Sequence, residues 1–96
     1  MYPVMLDVEN RPCLVVGGPE GTGLAWVLMI TSAKNSEWPG DIEIKNLAEA
    51  GLKSASIIRT AKIATVEAEL LKPIGILDEA TSALVTTKMN EHISSS

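Results

Sequence analysis

With 96 residues, the chain has the length of one domain with a modest core, because small domains bury a smaller share of their surface than large ones. Its formal net charge of −4 argues against strong nonspecific binding to duplex nucleic acid, which depends on cations that neutralise phosphates. The longest apolar run, residues 24–30, is too short to cross a bilayer, and the first residues lack a signal-peptide pattern. We therefore expect a cytoplasmic protein with no membrane partner.

The first half of the chain is typical of short strands joined by turns. Residues 2–6 predict a first strand, and a second runs from Pro12 to Val16, since proline is tolerated at the start of a strand. The glycine-rich residues 17–23 predict a hairpin loop, because no helix follows and the Gly-Lys-Ser/Thr ending of a phosphate-binding loop is absent. The continuous apolar run 24–31 predicts a strand covered on both faces.

The second half predicts several shorter elements. These are a polar loop over 33–40, an alternating strand over 41–44, a helical turn over 45–50 ended by Gly51, two separate strands over 56–59 and 62–66, a short helix over 67–72 stopped by Pro73, and a brief strand over 74–77.

A final helix is predicted after Asp78, whose carboxylate is suited to cap the free amides of a first turn. Its expected buried face follows helical spacing and consists of Ala80, Leu84, Val85, Met89 and His92 or Ile93. Five or six strands followed by one helix predict a mainly β fold, a single α+β domain over residues 1–96 built as a small barrel that carries a C-terminal helix.

Few residues point to chemistry by themselves. The only cysteine, Cys13, lies in an apolar run and is expected to be a buried thiol. The only histidine, His92, cannot build a Ser/His/Asp triad or a His-rich metal cluster within one chain, and we expect it at the surface near the helix end. Asp7 and Glu9 share a turn with Arg11, where they could serve as a general base, stabilise the turn or orient the arginine.

Four short motifs, in order, resemble those of the MazF/PemK toxins of bacterial toxin–antitoxin modules. They are Arg11-Pro12 at the start of an apolar strand, Ile30-Thr31-Ser32 at the end of the next, Trp38-Pro39-Gly40, and Ser56-Ile57-Ile58-Arg59. The family consists of small endoribonucleases. The resemblance implies an SH3-like β-barrel with a C-terminal helix, a homodimer, cleavage of single-stranded RNA, and a cognate antitoxin that blocks the same groove.

The resemblance also implies site residues. Arg11 and Thr31 match the family's catalytic positions, and Arg59 matches a strand arginine that assists at phosphate in the PemK branch. The implied reaction is attack of a ribose 2′-hydroxyl on the adjacent phosphorus, which requires neither metal nor cofactor. Arg11 would stabilise the developing negative charge, while Thr31 and Ser32 would hydrogen-bond the phosphate.

Further substrate-binding residues are expected around these three. They are Ser32, Lys34, Trp38, Lys62 and Glu9. Some relatives carry an acidic residue two positions after the strand arginine, where this chain has Ala61 followed by Lys62; this difference moves the contribution to Lys62 or Glu9. Trp38 is suited either to stack a base or to plug a loop or a dimer seam.

Two alternatives keep the same fold. One is a family member that binds RNA or an antitoxin without cutting, which the missing acidic residue favours. The other is a CcdB-like toxin that binds DNA gyrase, although the Trp-Gly-Ile ending of that group is absent from the printed sequence.

Overall fold

A computed structural model of the chain describes residues 1–35 and 38–94, the last two through their backbone alone. The predicted loop over 33–40 therefore lies partly outside the described residues, and so does the predicted role of the Ile93 side chain. The described elements are β1 (Pro3–Leu6), β2 (Pro12–Gly17), β3 (Leu24–Ser32), β4 (Asp41–Glu43), β5 (Ser56–Glu67), a 3-10 turn (Ala68–Leu70), β6 (Lys72–Ile76) and α1 (Glu79–Ser94).

The strands form one antiparallel sheet in the order β4-β5-β3-β2-β1-β6. This confirms the predicted mainly β fold with a C-terminal helix. The sheet is barrel-like but not closed, since within the described residues no ladder joins its edge strands β4 and β6. No helix of the described chain is long and apolar enough to span a bilayer.

The core is aliphatic and lies on the sheet face that α1 covers. Its members come from five strands, the helix and the segments beside them: Val4, Leu14, Leu28, Ile30, Ile42, Ile44, Ala50, Ile58, Leu77 and Val85. Burial of each Leu or Ile side chain contributes roughly 1.5–3 kcal/mol, so this cluster is the main source of stability. It holds the strand ends in fixed positions relative to one another.

Strand β5 is the longest element and corrects one prediction. Residues 56–59 and 62–66 were expected as two strands, yet a single strand runs through both. Its pairing with β3 shifts register, because Leu28 pairs with Ile63 whereas Met29 pairs with Arg59. The extra residues 60–62 form a bulge that bends the strand without ending it. No Gly or Pro lies between the two runs, so nothing in the chain terminates the strand there.

Strand β3 is not covered on both faces along its whole length, contrary to the prediction. Its second half is buried at Val27, Leu28 and Ile30, but Trp26 is 44% exposed and Leu24 is 39% exposed. These two residues alternate with the buried Ala25 and Val27, so only one face of the strand is covered at this end of β3. A continuous apolar run therefore does not report burial of both faces here.

Helix α1 begins as predicted but presents a different face. Asp78 Oδ2 accepts from the Thr81 amide at 3.0 Å and Oδ1 from the Thr81 hydroxyl at 2.7 Å, and these bonds lower the pKa of the Asp78 carboxyl. This cap turns Thr81 and Ser82 inward beside Val85. Of the predicted face, Ala80 and Leu84 are consequently exposed, and Val85, Met89 and His92 remain buried or half-buried.

The predicted helix over 67–72 is only the 3-10 turn Ala68–Leu70. Pro73 does not stop a helix there. It lies inside β6, and β1 is the only strand of the described residues that pairs with β6. An edge strand accommodates a residue without an amide hydrogen, so this proline is compatible with the sheet.

The turn before β5 packs directly on β6. The Ile76 amide donates to the Glu49 carbonyl at 2.9 Å, and Gly51 ends the turn with φ of +74°. A Cβ atom on Gly51 would lie 2.0 Å from the Ile74 carbonyl oxygen. This close approach fixes the segment that leads into residues 52–54.

We expect Gly51→Ala to destabilise the protein more than Gly21→Ala. Both glycines have nearly the same positive φ, so each alanine carries a backbone cost of about 1–2 kcal/mol. Only at position 51 does the new Cβ also meet backbone, which adds about 1–3 kcal/mol of overpacking, since nothing lies within 4 Å of it at position 21. Urea unfolding of both variants measures the difference; equal losses would contradict the close packing of this turn.

Candidate active site

A cleft of about 460 Å³ opens where the start of β2, the end of β3, the middle of β5 and the segment before β5 meet. Five of the predicted site residues line it: Arg11, Thr31, Ser32, Arg59 and Lys62. The remaining lining residues are Pro12, Met29, Ile30, Leu52, Lys53, Ser54 and Ser56. The structure thus brings most of the predicted residues together, while Glu9, Lys34 and Trp38 lie outside the lining.

The cleft is the cationic part of an acidic chain. Four of the eight lysines and arginines line it, namely Arg11, Lys53, Arg59 and Lys62. Among the described residues that line it there is no carboxylate. The cleft is therefore a favourable place for an anion, although the chain has a net charge of −4.

Arg11 reaches the cleft from the β1–β2 turn, and an aspartate holds it there. Its Nε donates to Asp7 Oδ2 at 3.0 Å, and Glu9 Oε2 lies 3.6 Å from the same nitrogen. The Arg11 side chain remains 57% exposed. The hydrogen bond uses Nε, the guanidinium nitrogen nearest the chain.

Asp7 is the buried centre of this turn. Its Oδ1 accepts the amides of Glu9 and Arg11, each at 2.9 Å, and only 9% of the residue is exposed. Burial pushes the pKa of the Asp7 carboxyl up, but the two amide bonds, the side-chain bond and the charge of Arg11 outweigh it, so the pKa is lowered. Of the three predicted readings, this geometry favours orientation of Arg11 over a general base.

Thr31 is the last residue but one of β3 and lies at the cleft, where Asn35, a residue that no sequence motif indicated, contacts it. Asn35 Nδ2 donates a short hydrogen bond to Thr31 Oγ1. This bond occupies a lone pair of the oxygen and leaves the hydroxyl hydrogen able to donate elsewhere. Beside it, the Lys34 amide donates to Ser32 Oγ at 3.3 Å, so Lys34 lies in the turn just beyond the cleft.

Arg59 is the more buried of the two arginines. Its side chain is 12% exposed, its Nε lies 3.7 Å from Asp41 Oδ2, and its Cζ lies 4.3 Å from the centroid of the Trp38 ring. Trp38 is itself 40% exposed. Trp38 is thus next to the cleft through Arg59, with one ring face covered by the guanidinium.

Several cleft residues had no signal in the sequence. Lys53 and Ser54 belong to a short segment that reaches the cleft only because Gly51 docks on β6 and the β5 register then fixes residue 56 opposite Ser32. Asp41, which lies beside the cleft and outside its lining, was predicted only as part of a strand. A lysine or aspartate in an ordinary loop or strand does not reveal a long-range partner.

Cys13 and His92 have reactive side chains and lie outside the cleft lining. The structure agrees with the expectation for Cys13 and differs from that for His92. Cys13 is fully buried, as predicted, and burial, followed by the charge of Asp7, raises the pKa of its thiol despite the opposing charge of Arg11. His92 was expected at the surface, but it is half-buried, with Nε2 3.0 Å from Thr60 Oγ1. Helix packing against β5 carries it there.

Within the described part of the chain, no group of three or more His, Cys, Asp or Glu residues could hold a metal ion.

Residues 6–93 match the family model of the PemK-like, MazF-like toxins of type II toxin–antitoxin systems. No curated protein matches the chain by sequence. The family match includes every residue that lines the cleft, from Arg11 to Lys62.

Solved structures with the same fold agree with that match. The MazE–MazF structure from Deinococcus radiodurans has a TM-score of 0.77 and 17% identity, covering 98% of this chain and 94% of the other. The toxin MazF-mt6 of Mycobacterium tuberculosis has a TM-score of 0.73 and 18% identity, covering 96% of each chain. An endoribonuclease in complex with its cognate antitoxin, from a mycobacterial species, has a TM-score of 0.74 and 14% identity, covering 97% of this chain and 91% of the other. At these identities the likeness concerns the fold.

We expect Asp7→Asn to lower the free energy of unfolding at pH 7 and to have less effect in acid. The folded-state pKa of Asp7 lies below its unfolded value, so its stabilisation is present above the unfolded pKa of about 3.9 and is lost as pH falls through the folded pKa. Urea unfolding at pH 7, 5 and 3 measures the difference from the unsubstituted protein.

The matched control is Glu20→Gln, an exposed carboxylate in the loop between β2 and β3. It should change the free energy of unfolding little at any of these pH values. A loss in Asp7→Asn that stays constant from pH 7 to pH 3 would show that the ionised carboxylate is not what stabilises the turn.

Proposed function

Because the chain belongs to the PemK-like, MazF-like toxin family of type II toxin–antitoxin systems, we propose that it is a toxin that cleaves single-stranded RNA in the cationic cleft. The observation that carries the proposal is the meeting of Arg11, Thr31 and Arg59 at one cleft whose described lining holds four cations and no carboxylate. Such a site suits a phosphodiester and the extra negative charge that it gains during cleavage.

The proposed reaction is an internal transfer in the RNA. The ribose 2′-oxygen forms a bond to the adjacent phosphorus, and the bond from phosphorus to the 5′-oxygen of the next nucleotide breaks. The 2′-hydroxyl loses its proton, the departing 5′-oxygen gains one, and the products are a 2′,3′-cyclic phosphate and a 5′-hydroxyl. The nucleophile belongs to the substrate, so the protein need supply neither a metal-bound water nor a covalent side chain, and DNA is not a substrate.

Arg11 is the proposed main stabiliser of the transition state. Asp7 fixes its guanidinium through Nε, and a fixed cation aimed at developing charge stabilises the transition state without having to reorganise. Arg59, held between Asp41 and Trp38, supplies the second cation at the phosphate. Two guanidinium groups can share the non-bridging oxygens, which each accept several hydrogen bonds.

Thr31 is the proposed neutral donor. Since Asn35 donates to Thr31 Oγ1, the hydroxyl hydrogen of Thr31 can be given to a phosphate oxygen. Ser32 follows it on the same strand end and contributes a second hydroxyl.

The other binding residues extend the site along the strand of RNA. Lys53 and Lys62 are suited to neighbouring phosphates, and Lys34 to one just beyond the cleft. The uncovered face of Trp38 offers a base a stacking surface, and Glu9 acts through its ion pair with Arg11.

The proposal includes a cognate antitoxin as partner, a homodimer as the working form and the cytoplasm as the setting. Two kinds of support exist for the antitoxin: the family is defined by toxin–antitoxin systems, and the similar structures include a MazE–MazF structure and an endoribonuclease bound to its antitoxin. An antitoxin segment bearing carboxylates would complement the cleft's four cations.

We expect the purified protein to cut single-stranded RNA at defined sites in EDTA, and Arg11→Ala to lose at least about a hundredfold in rate, the typical cost of removing one such donor. Primer extension maps the cuts, and end analysis should find 2′,3′-cyclic phosphates. Lys88→Ala, which removes a helix cation paired with Glu91 outside the cleft, should cut like the unsubstituted protein.

Two negative results of this experiment would have different meanings. Binding of RNA or antitoxin without cuts, by a correctly folded protein, would replace the enzyme with a non-catalytic binder. Equal cutting by Arg11→Ala would remove Arg11 from the mechanism.

Lys53→Ala provides a test of the RNA path that is independent of the catalytic residues. Loss of one phosphate contact should weaken binding about equally for all RNA sequences and should reduce the slope of log K against log salt by about 0.7. Fluorescence anisotropy of a labelled RNA across salt concentrations measures this slope. An unchanged slope would place the RNA elsewhere.

A further inference from the structure

Arg59 is held from two sides by one short turn, residues 38–41, at the start of β4. Asp41 contacts its Nε side, and Trp38 covers its guanidinium. We propose that Asp41 is a positioning residue that fixes Arg59 at the cleft. The inference rests on the proposed function for its catalytic consequence, and it assigns the role to a residue that neither the sequence motifs nor the family match singled out.

The turn is closed by the same two residues. The Trp38 amide donates to Asp41 Oδ2 at 2.9 Å, and the Asp41 amide donates to the Trp38 carbonyl at 3.1 Å. Asp41 also pairs with Arg59 across the β4–β5 ladder. One carboxylate oxygen therefore faces both the arginine and the backbone that carries the tryptophan, so the two contacts with Arg59 depend on each other.

The ion pair between Asp41 and Arg59 is largely shielded from solvent, although its 3.7 Å separation is longer than a hydrogen bond. The Asp41 side chain is 4% exposed and the Arg59 side chain 12%, so solvent and salt screen their attraction far less than at an open surface. Asp41 Oδ1 is also buried, without a hydrogen-bond partner among the residues that the structure describes. A buried polar atom left unsatisfied is unfavourable for stability.

The turn itself is anchored to the helix. Thr60 Oγ1, in the β5 bulge, donates to the Gly40 carbonyl at 2.7 Å, and His92 Nε2 lies 3.0 Å from the same hydroxyl oxygen. Since the hydroxyl hydrogen goes to Gly40, His92 Nε2 must donate to Thr60. The turn that holds Arg59 is thus fixed at its middle as well as at its ends.

The arrangement repeats what happens at the other cleft arginine. Arg11 and Arg59 are both contacted at Nε by a buried aspartate from a turn, Asp7 in one case and Asp41 in the other. Because Nε is the guanidinium nitrogen nearest the chain, a contact there restrains the side chain close to the backbone. The contact is 3.0 Å long at Arg11 and 3.7 Å long at Arg59.

The first arm of the test does not require catalysis. In a Trp26→Phe background Trp38 is the only tryptophan, so its fluorescence reports the ring that Arg59 covers. Asp41→Asn keeps an oxygen acceptor for the Trp38 amide but removes the charge that holds Arg59. We expect Asp41→Asn and Arg59→Ala each to increase acrylamide quenching of Trp38, and the double variant to add nothing further. Glu43→Gln, which removes an exposed carboxylate from the same strand, is the matched control and should leave quenching unchanged.

The second arm uses RNA cleavage. Misplacement of a reacting group by about 1 Å can cost about a hundredfold, so we expect Asp41→Asn to lower kcat by about ten- to a hundredfold with little change in KM. In an Arg59→Ala background the same substitution should cost no further rate, because its effect acts through Arg59. Glu43→Gln should cleave normally.

The outcomes decide the inference separately from the proposed function. The positioning role would be overturned if Asp41→Asn left acrylamide quenching of Trp38 unchanged. It would also be overturned if the rate losses of Asp41→Asn and Arg59→Ala multiplied in the double variant. If the unsubstituted protein cuts no RNA, the proposed function fails and the quenching comparison alone decides whether Asp41 holds Arg59. Should Asp41→Asn not fold by circular dichroism, Asp41→Ser replaces it. Serine likewise removes the charge and keeps an oxygen acceptor, so the same two outcomes apply.

Discussion

The pairing of β3 with β5, with its bulge at residues 60–62, is the constraint on which the rest of the structure depends. It sets the end of β3 opposite the start of β5 and brings Arg59 level with Met29. Without the register shift, the pairing of Leu28 with Ile63 would continue along the ladder, and Arg59 would lie opposite Ser32 instead of Met29. The same bulge buries Thr60, whose hydroxyl ties the β4 turn to α1. One irregularity in one ladder therefore aligns the cleft floor, the turn beside it and the helix behind it.

Charge is distributed so that the cleft is cationic although the chain is acidic. Each cleft arginine is balanced by an aspartate outside the lining, so the protein tolerates two guanidinium groups near one another before any ligand arrives. The aspartates also limit where the arginines can move. A site built in this way binds an anion with little rearrangement, which is the condition under which fixed charges are most effective.

The local signals in the sequence predicted the strands, the Asp78 cap and the motif positions of Arg11, Thr31 and Arg59, because turn residues, apolar runs and motif order are properties of neighbouring residues. What the sequence did not reveal depends on contacts between distant segments. The join of two predicted strands into β5 follows from pairing with β3, and Lys53 enters the cleft through docking on β6. Leu84 fits helical spacing as well as Val85 does, but the Asp78–Thr81 bonds select the face that turns inward.

The open sheet has a consequence for behaviour at high concentration. Both edges are poor templates for the addition of another strand: β4 is only three residues long, and β6 carries Pro73 beside Lys72. Short edges, proline and an edge lysine are the features by which natural sheets avoid edge-to-edge aggregation. A small protein with an aliphatic core and an unclosed sheet is thereby protected from fibrillar association while its cleft stays accessible.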